Sequence, residues 1–169
     1  MNRNSRAIVS TADTIAILVR KISSDASPPE LVAFRKASEI IGMALLHSKS
    51  VFVVDDDAGM RKGLQRLLKA HGFRTEVFDS AEAVCACANL DDAFCVVLDI
   101  NLNGSSGIEL RHKLASGGVA LPVVYITAAQ DDATMKAALA SGCIAYLTKP
   151  FPGKALIEPI VRASSGIIL

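Results

Sequence analysis

The sequence predicts a doubly wound α/β domain: a five-stranded parallel sheet with helices on both faces, preceded by an N-terminal helical extension. Three observations predict it. From residue 51 onward, apolar runs alternate five times with segments of helical period. Four of the runs lack polar–apolar alternation, as strands buried on both faces do. A stretch long enough for a crossover helix follows each run, and parallel strands require such crossovers.

The strands are read in order as Val51–Val54, Phe73–Phe78, Phe94–Leu98, Val123–Ile126 and Ile144–Leu147. Phe73–Phe78 differs from the others. It alternates Phe73, Thr75 and Val77 against Arg74 and Glu76, the pattern of a half-exposed edge. The helices follow from caps and stops. Ala58 to His71 carries Met60, Leu64, Leu67 and Leu68 on one face and stops at Gly72. Ser80 opens a second helix to about Ala88, and Ser106 or Gly107 a third to about Ala115. Gln130 to Leu139 forms a fourth and Pro152 to Ala163 a fifth, with Pro159 inside it as a kink or a fresh start. These elements make up a domain over residues 50–165.

Residues 1–49 do not fit the repeat and are read as the helical extension. Ser27-Pro28-Pro29-Glu30 is a helix start with a capping serine and a first-turn proline. A helix from about Pro28 to Leu46 and a shorter one over Thr11 to Ile22 are expected. Three accounts of this extension stand open: a helical pair for docking or homodimer formation, in part disordered; an artefact of the assigned start, with Met43 just before the first strand; or a remnant of a longer multidomain protein.

Composition excludes several classes. The 169 residues are 51% apolar, enough for a core, and the formal net charge is +1, so no global field attracts nucleic acid or an anionic membrane. The charge is uneven: residues 1–50 carry seven Lys/Arg against four Asp/Glu. No apolar run reaches a membrane span. Thr14 to Val19 is apolar but stops at Arg20-Lys21, without the flanks of a signal peptide. A cytoplasmic location is expected. Cys85, Cys87, Cys95 and Cys143 lack zinc-site spacing and are read as free thiols. His47, His71 and His112 are scattered and are read as surface or helix-end residues; His47, followed by Ser48 and not by an acid, is not read as a phosphohistidine site.

The chemistry lies at the strand ends, where doubly wound sheets bind ligands. The first strand ends in Asp55-Asp56-Asp57 and the third in Asp99. Clustered carboxylates repel one another without a cation, and a hard divalent ion such as Mg²⁺ takes oxygen ligands of this kind. The fourth strand ends in Thr127 and the fifth in Lys149-Pro150. A hydroxyl and an ammonium beside a bound cation suit a tetrahedral oxyanion.

Val53-Val54-Asp55-Asp56-Asp57, Val97-Leu98-Asp99-Ile100-Asn101-Leu102, Tyr125-Ile126-Thr127-Ala128 and Tyr146-Leu147-Thr148-Lys149-Pro150-Phe151 resemble the signature set of bacterial response-regulator receiver domains, the CheY-like superfamily. The resemblance runs from about Ser50 to Ala163. It is strongest to receivers of nitrogen-fixation and LuxR-type regulators. It implies the flavodoxin-like strand order 2-1-3-4-5. It also implies that Asp99 accepts a phosphoryl group from a phosphohistidine. Asp55, Asp56, Asp99 and the backbone carbonyl of Asn101 would hold Mg²⁺. Lys149 and Thr127 would contact the phosphoryl oxygens, Thr127 and Tyr146 would act as the switch, and the Lys149-Pro150 peptide would be cis. Asp57 would be a helix-start charge.

Two departures stand out. Family members often carry proline where Asn103 stands; here Asn103-Gly104 is itself a turn signal. No helix-turn-helix pattern follows residue 163, so direct binding of nucleic acid is not expected. The function expected is phosphorelay signalling by a stand-alone receiver, with self-catalysed phosphotransfer and dephosphorylation only. Its partners would be a sensor histidine kinase or histidine phosphotransfer protein and a downstream protein. The alternatives are the receiver part of a truncated transcriptional regulator or hybrid kinase, an aspartyl-nucleophile phosphatase, and a dormant interaction module.

Overall fold

Successive residues of a strand face opposite sides of its sheet, so a sheet covered on both faces buries nearly every position and needs mostly apolar side chains. The computed structural model describes residue 32 and residues 49–87, 90–128 and 131–164. It meets that condition in β1 (Ser50–Val54), β3 (Ala93–Asp99) and β4 (Val123–Thr127), whose residues are all buried. β2 (Arg74–Phe78) and β5 (Ala145–Thr148) are partly exposed. They are the two edges of a parallel sheet ordered β2-β1-β3-β4-β5. Strand order reverses between β1 and β3, which places the crevice of the fold at their carboxyl ends.

Short polar side chains start four of the helices by accepting backbone N–H groups that have no partner within the helix. Asp57 accepts from Met60 at the start of α1 (Ala58–Ala70). Ser80 accepts from Ala83 at α2 (Ala81–Cys85), and Ser106 from Ile108 at α3 (Gly107–Ser116). Asp131 accepts from Thr134 at α4 (Asp132–Ala140). α2 ends short of the expected Ala88, because the Cys87 N–H turns back to the Val84 carbonyl.

α1 and α5 (Gly153–Ser164) cover one face, where Leu64, Leu68, Leu156 and Ile160 pack on Val53 and Val97. α2, α3 and α4 cover the other, with Val84, Leu110 and Ala138 against Leu98 and Tyr125. Each large aliphatic side chain buried this way contributes about 1.5–3 kcal/mol. That scale explains Pro159. α5 neither ends nor restarts there; it runs as one helix, with Pro159 buried among Leu156, Ile157 and Ile160. Burial of those neighbours offsets the ~3 kcal/mol that an internal proline costs.

After β3 the chain makes a small hairpin. Asn101-Leu102 pairs antiparallel with Ser105-Ser106. Asn103 and Gly104, at φ 27° and 93°, form its two-residue turn. Positive φ at both positions is the type I′ pattern, which Asn-Gly favours. Gly107 then opens α3 so close to β3 that a Cβ on it would lie 2.2 Å from the Asp99 carbonyl oxygen.

Arg111 of α3 ties three carbonyls together. Its Nε donates to Ser141 at 2.8 Å, Nη1 to Leu121 at 3.2 Å and Nη2 to Gly142 at 3.2 Å. Beside it, the Tyr125 hydroxyl and Ser141 Oγ are 3.1 Å apart. The carboxyl end of α4 is thereby fixed to α3 and β4. The N-terminal helices expected over residues 11–22 and 28–46 lie outside the described residues, Val32 excepted. Among the described residues no helix is long and apolar enough to cross a membrane.

Arg111→Ala is expected to lower unfolding free energy by about 2 kcal/mol in urea titration, since it strands several carbonyls. Arg111→Lys should recover part of that loss. Cys95 is fully buried and burial pushes its thiol up to about 12, whereas Cys85 is exposed. Alkylation of the native protein at mildly alkaline pH, mapped by mass spectrometry, should therefore modify Cys85 and reach Cys95 only after denaturation.

Candidate functional site

The two central strands deliver their last residues to one rim. Asp55 directly follows β1, and its N–H still donates to the Phe78 carbonyl of β2 at 3.2 Å. Its side chain is wholly buried: Oδ1 accepts the Asp57 N–H at 2.8 Å and Oδ2 accepts Lys149 Nζ at 2.8 Å. Asp99 is the last residue of β3 and only 6% exposed. Its Oδ1 accepts the Asn101 N–H at 3.0 Å, and its Oδ2 accepts Lys149 Nζ at 2.5 Å. Asp56 is half-buried and accepts the Asn103 N–H on Oδ2 at 3.3 Å. One oxygen from each of Asp55, Asp56 and Asp99 lies within 4.8 Å of the other two.

Lys149 enters from the far side of the sheet. It follows β5, its N–H donates to the Thr127 carbonyl of β4 at 2.8 Å, and its peptide to Pro150 is cis. Its ammonium bridges Asp55 and Asp99, which belong to different strands. Burial works to lower the Lys149 pKa, but the hydrogen bonds it donates to Asp55 and Asp99, with their charges, outweigh it and the net shift is upward. Burial also pushes the Asp55 carboxyl up, against the lowering effect of Lys149 and of the Asp57 N–H.

Three carboxylates against one ammonium leave two formal negative charges in a partly desolvated cluster. All the nearby acceptors are hard oxygens. Such a donor set fits a divalent cation of the Mg²⁺ kind, bound by Asp55, Asp56 and Asp99.

The structure brings together Asp55, Asp56, Asp99 and Lys149 of the residues singled out in the sequence. Asp57 leaves the cluster to cap α1. Thr127 is buried at the end of β4, one residue beyond Ile126, the register partner of Asp99. Asn101 is exposed, and the bond it makes to the acids is through its N–H. Tyr146 lies on the edge strand β5, register partner of Tyr125. It borders a cleft of about 260 Å³ with Thr148, Asp131, Asp132 and Met135. Its hydroxyl is buried without a hydrogen-bond partner among the described residues. Burial and the nearby Asp131 both raise its pKa.

Three contributors were not foreseen. The Arg61 guanidinium of α1 donates to the Asp55 carbonyl at 2.7 Å and steadies that residue from behind. The Asn103 N–H reaches Asp56. Gly107 permits α3 to approach Asp99. Only the last two carried a signal in the sequence, as a turn pair and a glycine at a helix start.

The chain matches the response regulator receiver domain family over residues 51–161. It is similar to Nodulation protein W of Bradyrhizobium diazoefficiens, 33% identical over 114 residues that cover 68% of this chain and 50% of that protein. It is also similar to the transcriptional regulatory protein FixJ of Rhizobium meliloti, 32% identical over 119 residues that cover 70% and 58%. The structure of the response regulator StyR superposes with TM-score 0.60 at 39% identity, covering 69% of this chain and 59% of that one. That of FixJ-N superposes with TM-score 0.63 at 31% identity, covering 72% and 97%. The chain spans about half the length of the curated relatives it matches, and about a quarter of some. The matched segment contains both acid-bearing strand ends, the end of β4 and the Lys149-Pro150 peptide, and on that ground the chain belongs to the response-regulator receiver domain family.

Proposed function

We propose that this chain is a phosphoacceptor in a two-component pathway, with Asp99 as the residue that takes the phosphoryl group. The observation that carries this reading is the Lys149 ammonium held between Asp55 and Asp99 at the switch point of the sheet. Receiver domains are signalling domains, and those of response regulators act with histidine kinases or histidine phosphotransfer proteins. A sensor kinase or phosphotransfer protein is accordingly the donor proposed here, and a downstream protein the recipient of the signal.

In the proposed reaction an Asp99 carboxylate oxygen attacks the phosphorus of a phosphohistidine. An O–P bond forms, the P–N bond breaks, and the imidazole leaves with the electron pair and takes up a proton. Water returns the acyl phosphate to carboxylate and inorganic phosphate. The residues fit that task. Asp99 is held by the Asn101 N–H and by Lys149, so its orientation is set before the donor arrives. Lys149 supplies a fixed positive charge for the incoming phosphoryl oxygens. Asp55, Asp56, Asp99 and the Asn101 carbonyl would hold Mg²⁺, which when bound offsets the repulsion between the carboxylates and the phosphoryl group.

Thr127 is the proposed hydroxyl donor to the phosphoryl group, and Tyr146 the proposed switch. The hydroxyl's lack of a partner among the described residues supports the second role. Leaving a buried hydroxyl unsatisfied costs about 1–3 kcal/mol, so the ring gains by moving to any position that restores a partner. The domain proposed for this activity spans residues 50–165, with residues 1–49 as a separate extension. The lengths of the relatives favour one further reading of the whole, that the chain is the receiver part of a longer transcriptional regulator.

Asp99→Asn is expected to abolish phosphorylation by a small acyl phosphate with Mg²⁺, read as loss of the added mass, while circular dichroism stays native. Undiminished labelling of the variant would overturn the assignment. Lys149→Met removes the cation from between two acids. In chelator it should destabilise the fold by about 3 kcal/mol. Added Mg²⁺ should raise its melting temperature more than that of the wild type.

A further inference from the structure

We infer that the Asn103-Gly104 turn is a positioning element for cation binding, acting through the Asn103 N–H on Asp56. This rests on the reading of the acid cluster as a divalent-cation site.

Asp55 and Asp99 are immobilised by burial and by Lys149, each with a second bond from a backbone N–H close in sequence. Asp56 is the exception. It is half-buried, has no ion pair among the described residues, and its side chain receives the N–H of a residue 47 positions away. That N–H reaches Asp56 because the chain after β3 folds back on itself. Asn101-Leu102 pairs with Ser105-Ser106, and the positive φ of Asn103 and Gly104 turns the tip between them. Proline at position 103 has neither the N–H nor access to that φ. The bond engages Oδ2, while one oxygen of Asp56 lies within 4.8 Å of an oxygen from each of Asp55 and Asp99. A carboxylate held by such an outer hydrogen bond gives up less rotational freedom on binding the ion.

Linkage makes the coupling reciprocal: whatever factor the turn adds to cation affinity, the cation adds to the closed state of the turn. The Asn103 N–H is therefore both the cause and a reporter of the effect.

Mg²⁺ binding measured by calorimetry on the full chain tests this, with four proteins compared. Gly104→Val opposes the left-handed backbone, and Asn103→Pro removes the donor. Each is expected to weaken Mg²⁺ binding by about threefold or more. Asn103→Gly keeps both the turn and the N–H and should bind as the wild type does. Hydrogen exchange of the Asn103 amide in the wild type should slow by about the same factor at saturating Mg²⁺, a measurement that needs no variant to fold. Equal affinity in all four proteins, or exchange unchanged by Mg²⁺, overturns the inference while leaving the cation site standing. Absence of Mg²⁺ binding to the wild type overturns both.

Discussion

Like charges crowded at one end of a sheet are the constraint around which the rest of this structure is arranged. Asp55, Asp56 and Asp99 have oxygens within 4.8 Å, in a place where burial weakens the screening that water would provide. Lys149 answers that repulsion from a strand that does not adjoin β1, and it does so only because β5 ends level with the rim. The ion pair thus records the topology. A different strand order would bring the acids together without their cation. The bond from the Lys149 N–H to the Thr127 carbonyl fixes the chain at the point where that cation leaves the sheet.

Much of this was legible in the sequence, for identifiable reasons. β1, β3 and β4 could be read because strands covered on both faces are apolar nearly throughout, without alternation, and few other segments are. Helix starts could be read from Asp57, Ser80 and Ser106, because capping is local chemistry. The meeting of Asp55, Asp99 and Lys149 followed once strand ends were known to share a rim. What escaped depends on distance in the chain. Nothing near Arg111 announces that its guanidinium will collect carbonyls at Leu121, Ser141 and Gly142. Nothing near Arg61 announces the Asp55 carbonyl. Pro159 read as a kink or a fresh start inside the helix because helix propensity is local, whereas the burial that offsets its cost belongs to the whole face of the sheet.

The acid rim and the edge strand β5 solve opposite problems. At the rim, every described carboxylate oxygen pairing is with a backbone N–H or with Lys149, and the groups are held still. At β5 the Tyr146 hydroxyl is enclosed without a partner among the described residues, beside an open cleft. The first arrangement favours a fixed geometry for chemistry. The second leaves a polar group on the sheet edge, away from the central strands, with its hydrogen bond unmade among the described residues.

The anchoring of α4 bears on that same edge. The helix's one buried residue, Ala138, lies in its last turn, next to Ser141 and Gly142, where Arg111 grips the chain. A rod moored at one end answers a push by pivoting and not by sliding. Nine residues make a lever about 13 Å long. A tilt of some five degrees therefore carries its far tip, where Asp131 and Asp132 border Tyr146, by about an ångström. The arm amplifies at the tip what the moored end barely feels.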